Sequence, residues 1–173
     1  MYRKGEKRHP NKIALNWTLG TAIVSFVGAG LLGVAHTIPQ VNLYTHGTLV
    51  TAMHGHLAFW GAYAMINMAI ISYTVPNMTG RKRYDTGNGV LAFWLSNIGM
   101  LGMTVAFGVA GVAQVYMERI MGVEFGVVQQ EIQVHFAILL VCATMFTAGI
   151  SLYIYEFVKY GKPTEEALQP TYS

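Results

Sequence analysis

The chain has 173 residues, 53% of them hydrophobic and only 11% charged, with a mean hydropathy of +0.40. A soluble domain carries about 25% charged residues, so this composition excludes an ordinary wettable exterior and points to an integral membrane protein. The net charge of +3 sits in short segments between apolar runs and forms no tract suited to nucleic acid.

In chain order, a basic segment with Arg3, Lys4, Lys7, Arg8 and Lys12 precedes the first apolar run, Ile13 to Ala35, "IALNWTLGTAIVSFVGAGLLGVA". Such a start also suits a signal peptide, whose apolar core is about 7–15 residues. This run is longer and reads as a retained span. The loop "HTIPQVNLYTHGT" follows, with His36 and His46, and then a second run, Leu49 to Val75. "PNMTGRKRYDTGN" leads to a third run, Val90 to Tyr116, with Glu118 and Arg119 at its far end. The fourth is Ile132 to Val158, and the polar segment from Pro163, "PTEEALQPTYS", is expected to be a loosely ordered tail.

Each run exceeds the roughly 20 residues a membrane-spanning helix needs. Lipid offers no partner to an unpaired backbone, and nothing alternates with period two as a barrel would. The expected fold is an all-α integral membrane protein, a single domain of four transmembrane helices over about 13–35, 49–75, 90–116 and 132–158. Of the eleven Lys and Arg residues, only Arg119 falls on one side of that topology. The basic side faces the cytoplasm, which places both termini there. The single cysteine, Cys142, permits no intrachain disulfide and reads as a small hydrophobe. Asn67, Asn97, Thr104 and Thr147 inside the runs are expected to hydrogen-bond between helices.

The topology gives the six histidines depth. His9 lies in the cytoplasmic segment, and the other five gather in or above the outer half of the membrane. His36 is a loop residue and needs no special account. His135 has Glu131 four residues before it, a spacing that pairs side chains on one helical face, and intramembrane ionisable groups are functional candidates. His54 and His56 are separated only by Gly55. Two residues apart, they point about 200° apart around the helix axis, so they cannot hold one mononuclear metal between them. They can serve two separate iron centres, since each axial position of a haem takes one nitrogen. Gly55 and the small residues Ala52, Ala58, Gly61 and Ala62 allow close approach of a macrocycle. Unrelated interfacial or transport-site histidines remain the alternative.

The stretch "HTIPQVNLYTHGTLVTAMHGHLAFWGAY", with "AFWLSNIGMLGMTVAFGVAGVAQVY" and "EIQVHF", resembles the large, haem-bearing subunit of bacterial nitric oxide reductase in the haem–copper oxidase superfamily, most nearly the cytochrome c-dependent type. The resemblance covers essentially the whole chain. It implies that His54 is the proximal ligand of a high-spin haem b and His56 one of two axial ligands of a low-spin haem b. His46 would contact the haem propionates, and Glu131 with His135 would belong to a proton pathway. It implies as partners a membrane-anchored cytochrome c subunit and nitric oxide, two molecules of which are reduced to N2O, and as location the bacterial inner membrane.

One departure matters. The family's large subunit has about twelve spans, and this chain resembles only the last four. The second axial histidine and the non-haem iron ligands belong to the eight earlier helices. The chain alone is expected to be inactive. It reads as the C-terminal piece of a split reductase, a fragment, or a re-purposed four-helix anchor or assembly protein without catalysis of its own.

Overall fold

A computed structural model describes residues 11–80 and 86–160 of the chain. The basic residues Arg3, Lys4, Lys7, Arg8, Arg81, Lys82, Arg83 and Lys162, and the expected tail from Pro163, lie outside these. Six helices follow in order: α1 (Lys12–Thr37), α2 (Pro39–Thr45), α3 (Leu49–Met78), α4 (Gly87–Ile120), α5 (Phe125–Glu131) and α6 (Gln133–Lys159). Among the described residues there is no strand. α1, α3, α4 and α6 run 26, 30, 34 and 27 residues. At a rise of about 1.5 Å per residue each outreaches a hydrocarbon core of about 30 Å.

The breaks follow from local chemistry. Ile38 is extended, as the residue before a proline tends to be, and this turns the chain from α1 into α2. Gly47, at φ +72°, supplies the left-handed turn that ends α2. Asn11 caps α1 by accepting the Ala14 N–H at 3.0 Å. Three π-turns widen the spans: Phe26–Leu31 in α1, Trp60–Ala64 in α3 and Val115–Ile120 at the end of α4. Such turns shift the hydrogen-bond register by one residue and are frequent near functional sites.

All four spans meet at Trp17, which is fully buried. Its ring makes edge contacts with Trp60 of α3 at 6.0 Å, Phe93 of α4 at 5.0 Å and Tyr153 of α6 at 5.7 Å. Edge-to-face pairs add about 0.5–1.5 kcal/mol beyond their buried area, so this cluster is the hub of the core. α4 and α6 share the longest contact, and small residues bring their backbones together. A Cβ on Gly99 would stand 2.6 Å from Phe146 N, and one on Gly149 2.5 Å from Ser96 N. The outward faces stay apolar: Phe26, Phe59, Leu101 and Leu140 are all exposed on the bundle.

Of the four polar residues expected to bond between helices, Asn67, Asn97, Thr104 and Thr147, only Asn97 does so among the described residues. Asn97 accepts the Trp60 indole N–H at 3.1 Å, joining α4 to α3. Asn67 and Thr104 instead donate to the carbonyls of Tyr63 and Met100 on their own helices. A short polar side chain in a helix satisfies itself this way at no cost in helix separation.

Candidate functional site

The histidine-bearing helix α3 is fixed at its first turn by a residue of α4. Buried Gln114 accepts the Leu49 N–H at 2.9 Å and donates to Glu118 at 3.0 Å. Thr48 adds a side-chain cap on Val50 N–H. A Cβ on Gly111 would stand 2.8 Å from the Leu49 carbonyl carbon, so α4 touches the backbone of α3 there.

The two central imidazoles then look to opposite sides. His54 faces α1, where its Nδ1 lies 2.9 Å from the Gly28 carbonyl oxygen in the π-turn. His56 faces α4, with its ring 4.9 Å from Phe107 and its Nδ1 2.8 Å from the Ala52 carbonyl oxygen. A carbonyl only accepts, so Nδ1 carries the proton in both rings. In the neutral imidazole Nε2 then holds the free lone pair, the tautomer a metal-ligating histidine needs. Neither Nε2 has a hydrogen bond among the described residues.

Beside His56 an apolar groove of about 660 Å³ opens along α3, lined by Ala52, Gly55, Phe59, Trp60, Tyr63 and Met100 among others. Gly55 has open space at its Cβ position, so the groove reaches the backbone. Cofactor pockets measure about 300–1,000 Å³ and are mainly apolar. The residues present therefore fit a flat, largely apolar macrocycle with an iron at His56 Nε2.

His36 changes place relative to the sequence reading. It belongs to the last turn of α1, and its ring stacks on that of His54 with centroids 4.8 Å apart and planes inclined by 21°. Its Nδ1 lies 2.8 Å from the Leu32 carbonyl oxygen, and its Nε2 is buried without a partner. The spacing held a signal: His36 is one turn beyond Gly33, which borders the His54 ring, provided the helix continues past Ala35. Gln114 was likewise legible only as one long polar residue in an apolar run.

His46 caps α2, is exposed, and accepts at its backbone carbonyl from Arg119 of α4 at 3.5 Å. Glu131 and His135 do not share an uninterrupted helix. Glu131 ends α5, the chain turns at Ile132, and His135 lies in α6 with its Nδ1 3.2 Å from the Ile132 carbonyl oxygen. The turn breaks the four-residue spacing the sequence suggested. His135 lines a second apolar groove, about 480 Å³, between α4 and α6. Among the described residues no group of three or more His, Cys, Asp or Glu side chains is placed to hold a metal ion.

Residues 1–158 match the family described as "Cytochrome C and Quinol oxidase polypeptide I". Over 170 residues the chain is 37% identical to a nitric oxide reductase subunit of Stutzerimonas stutzeri, covering 94% of this chain and 36% of that protein. It is 34% identical over 98 residues to a cytochrome c oxidase subunit 1 homolog of Agrobacterium tumefaciens, covering 56% of this chain and 18% of that one. The chain thus spans little more than a third of the first of these relatives. Among solved structures, a haem–copper terminal oxidase dimer matches with a TM-score of 0.72 at 20% identity, covering 95% of this chain and 28% of that chain, which is a likeness of fold. With its four spans and nearly its whole length matched, the chain belongs to the cytochrome c and quinol oxidase polypeptide I family, that of the haem–copper oxidases.

Proposed function

We propose that this chain forms the haem-ligating C-terminal part of a respiratory nitric oxide reductase, with His54 the proximal ligand of a high-spin haem b and His56 one axial ligand of a low-spin haem b. The observation that carries the reading is the pair of Nδ1–carbonyl contacts, His54 to Gly28 and His56 to Ala52, which leave two Nε2 lone pairs on opposite sides of one helix. The likeness to the nitric oxide reductase of Stutzerimonas stutzeri supports the substrate, nitric oxide. Bound haem supplies redox-active iron for electron delivery and for NO reduction.

The chain's own residues orient and enclose. The Gly28 and Ala52 carbonyls hold the imidazole protons and so fix both ring planes. Phe59, Trp60, Tyr63 and Met100 wall the groove and exclude water. His46, exposed at the mouth of the bundle, donates to the propionates. Glu131 and His135 stand at the same end and pass protons individually, since the turn at Ile132 separates them. Unslowed NO turnover in Glu131→Gln would rule that role out.

The rest of the assembly is of the same proposal. Eight further helices supply the second axial histidine and the ligands of a non-haem iron, and a membrane-anchored cytochrome c subunit delivers electrons. The complex sits in the bacterial inner membrane with both ends of this chain in the cytoplasm, by the distribution of basic residues. The test is to purify the chain from its native membranes in mild detergent and record a reduced-minus-oxidised spectrum and NO consumption. Two b-type haems with turnover are expected. A colourless preparation would mean an anchor or assembly role instead.

A further inference from the structure

His36, in the last turn of α1, lays its ring against that of His54, with centroids 4.8 Å apart and planes inclined by 21°. The separation is that of an offset-stacked aromatic pair, about 4.5–7 Å. His36 does not depend on His54 for its place. Its own helix holds it, through the contact of Nδ1 with the Leu32 carbonyl oxygen at 2.8 Å. His54 arrives from α3 and reaches the Gly28 carbonyl oxygen at 2.9 Å. Carbonyls on successive turns of α1 thus anchor both rings, which suits a nearly parallel pair. The backbone of α1 also flanks the His54 ring at Gly33, where a Cβ would stand 3.5 Å from Cε1.

A histidine in an apolar span is ordinarily kept for its nitrogens, and at His36 that account fails. Its Nε2 is buried with no hydrogen-bond partner among the described residues, a state native folds rarely carry without a reason. Nor can His36 and His54 chelate one metal ion. An imidazole lone pair lies in the plane of its ring. Two planes stacked at this separation and inclined by 21° meet far beyond a metal–nitrogen bond of about 2.0–2.1 Å. What remains is the face of the ring. The Gly28 carbonyl holds one edge of the His54 imidazole, and one hydrogen bond resists twisting about its own axis only weakly. A second ring stacked on the face reinforces it against that twist.

We propose that His36 is a positioning residue for His54: its ring, stacked on the imidazole, sets the angle at which the His54 plane meets the haem assigned to it above. The inference rests on the reading of His54 as a haem ligand. Outer partners that orient an axial imidazole tune the iron it ligates. His36 acts through His54 and is not itself a ligand. A flat ring at position 36 is therefore what matters, and its nitrogens are dispensable.

The test is resonance Raman spectroscopy of the reduced assembly purified from native membranes, reading the iron–histidine stretch and the haem content. Wild type, His36→Phe and His36→Leu are compared. The expected result is full haem content in both variants, with the stretch unmoved in His36→Phe and shifted or broadened in His36→Leu. One stretch common to all three would overturn the proposal, as would an equal shift in both variants. Loss of the haem from His36→Phe would make the nitrogens necessary and overturn it too. Should His36→Leu fail to fold, His36→Ala takes its place in the same comparison. His54→Ala tells the two levels apart. A stretch that survives there, or one missing from the wild type, defeats the ligand reading and this inference with it. A stretch lost in His54→Ala but unmoved in His36→Leu defeats this inference alone.

Discussion

The Nδ1 of His54 and the carbonyl oxygen of Gly28 stand 2.9 Å apart, across the interface between the first and second spans. The contact exists because the chain approaches itself at a residue without a side chain. A Cβ on Gly28 would lie 2.7 Å from the Leu57 carbonyl carbon and 2.9 Å from Ala58 N. Backbone atoms cannot rotate away, so Gly28→Ala must push α1 and α3 apart. Overpacking of this kind costs about 1–3 kcal/mol. The expected outcome is a lower thermal midpoint and a perturbed spectrum for the haem proposed at His54, with that proposed at His56 little changed. Equal perturbation of both would mean that the contact does not orient His54 selectively.

The opposed orientation of the two imidazoles makes their losses separable. His54→Ala removes a ring facing Gly28 and His36, and His56→Ala one facing Phe107 and the large groove. In the assembly proposed above, His56→Ala is expected to lose the proposed low-spin haem and keep the proposed high-spin one. His54→Ala is expected to do the converse, and the double variant to contain neither. Pyridine haemochrome counts with absorption spectra check this. Full haem content in both single variants would refute the assignment.

Most of the fold could be read from hydropathy, because length and apolarity alone decide a membrane span. The expected fourth span, 132–158, differs from the helix by one residue at each end. The opposed faces of His54 and His56 were legible too, since helical geometry sets them. What stayed hidden depended on contacts distant in sequence or on small breaks. His36 reads as a loop residue because nothing in the sequence shows that α1 runs on to Thr37 and lays it on His54. The turn at Ile132 carries no glycine or proline signal, so Glu131 and His135 look like one helical pair.

Gln114 carries a prediction about placement of the histidine helix. Its carboxamide accepts the Leu49 N–H and donates to Glu118, at 2.9 and 3.0 Å, while only 4% exposed. Gln114→Leu keeps the volume and leaves the Leu49 N–H without its acceptor, a loss of about 1–3 kcal/mol. A lower midpoint in thermal unfolding is expected. Gln114→Glu keeps an acceptor for Leu49 but sets a second carboxylate against Glu118, so it should recover only part of the loss. A midpoint unchanged in Gln114→Leu would show that α3 is positioned without this cap.

Trp17 makes the sharpest demand on stability. One ring touches an aromatic residue of each of the other three spans, and it is fully buried. Truncating a buried Trp to Ala costs about 3–5 kcal/mol, a large share of a marginal stability. Trp17→Ala is therefore expected to abolish accumulation of the folded chain. Trp17→Phe keeps a ring at the hub and should fold with a reduced midpoint. Because the indole N–H is buried without a partner, its removal in Trp17→Phe relieves an unsatisfied donor and offsets part of the lost packing. The decline for Phe should thus be well under half that of Trp17→Leu, which loses the ring contacts as well. Equal losses for Phe and Leu would show that volume alone, and not edge-to-face geometry, holds the four spans together.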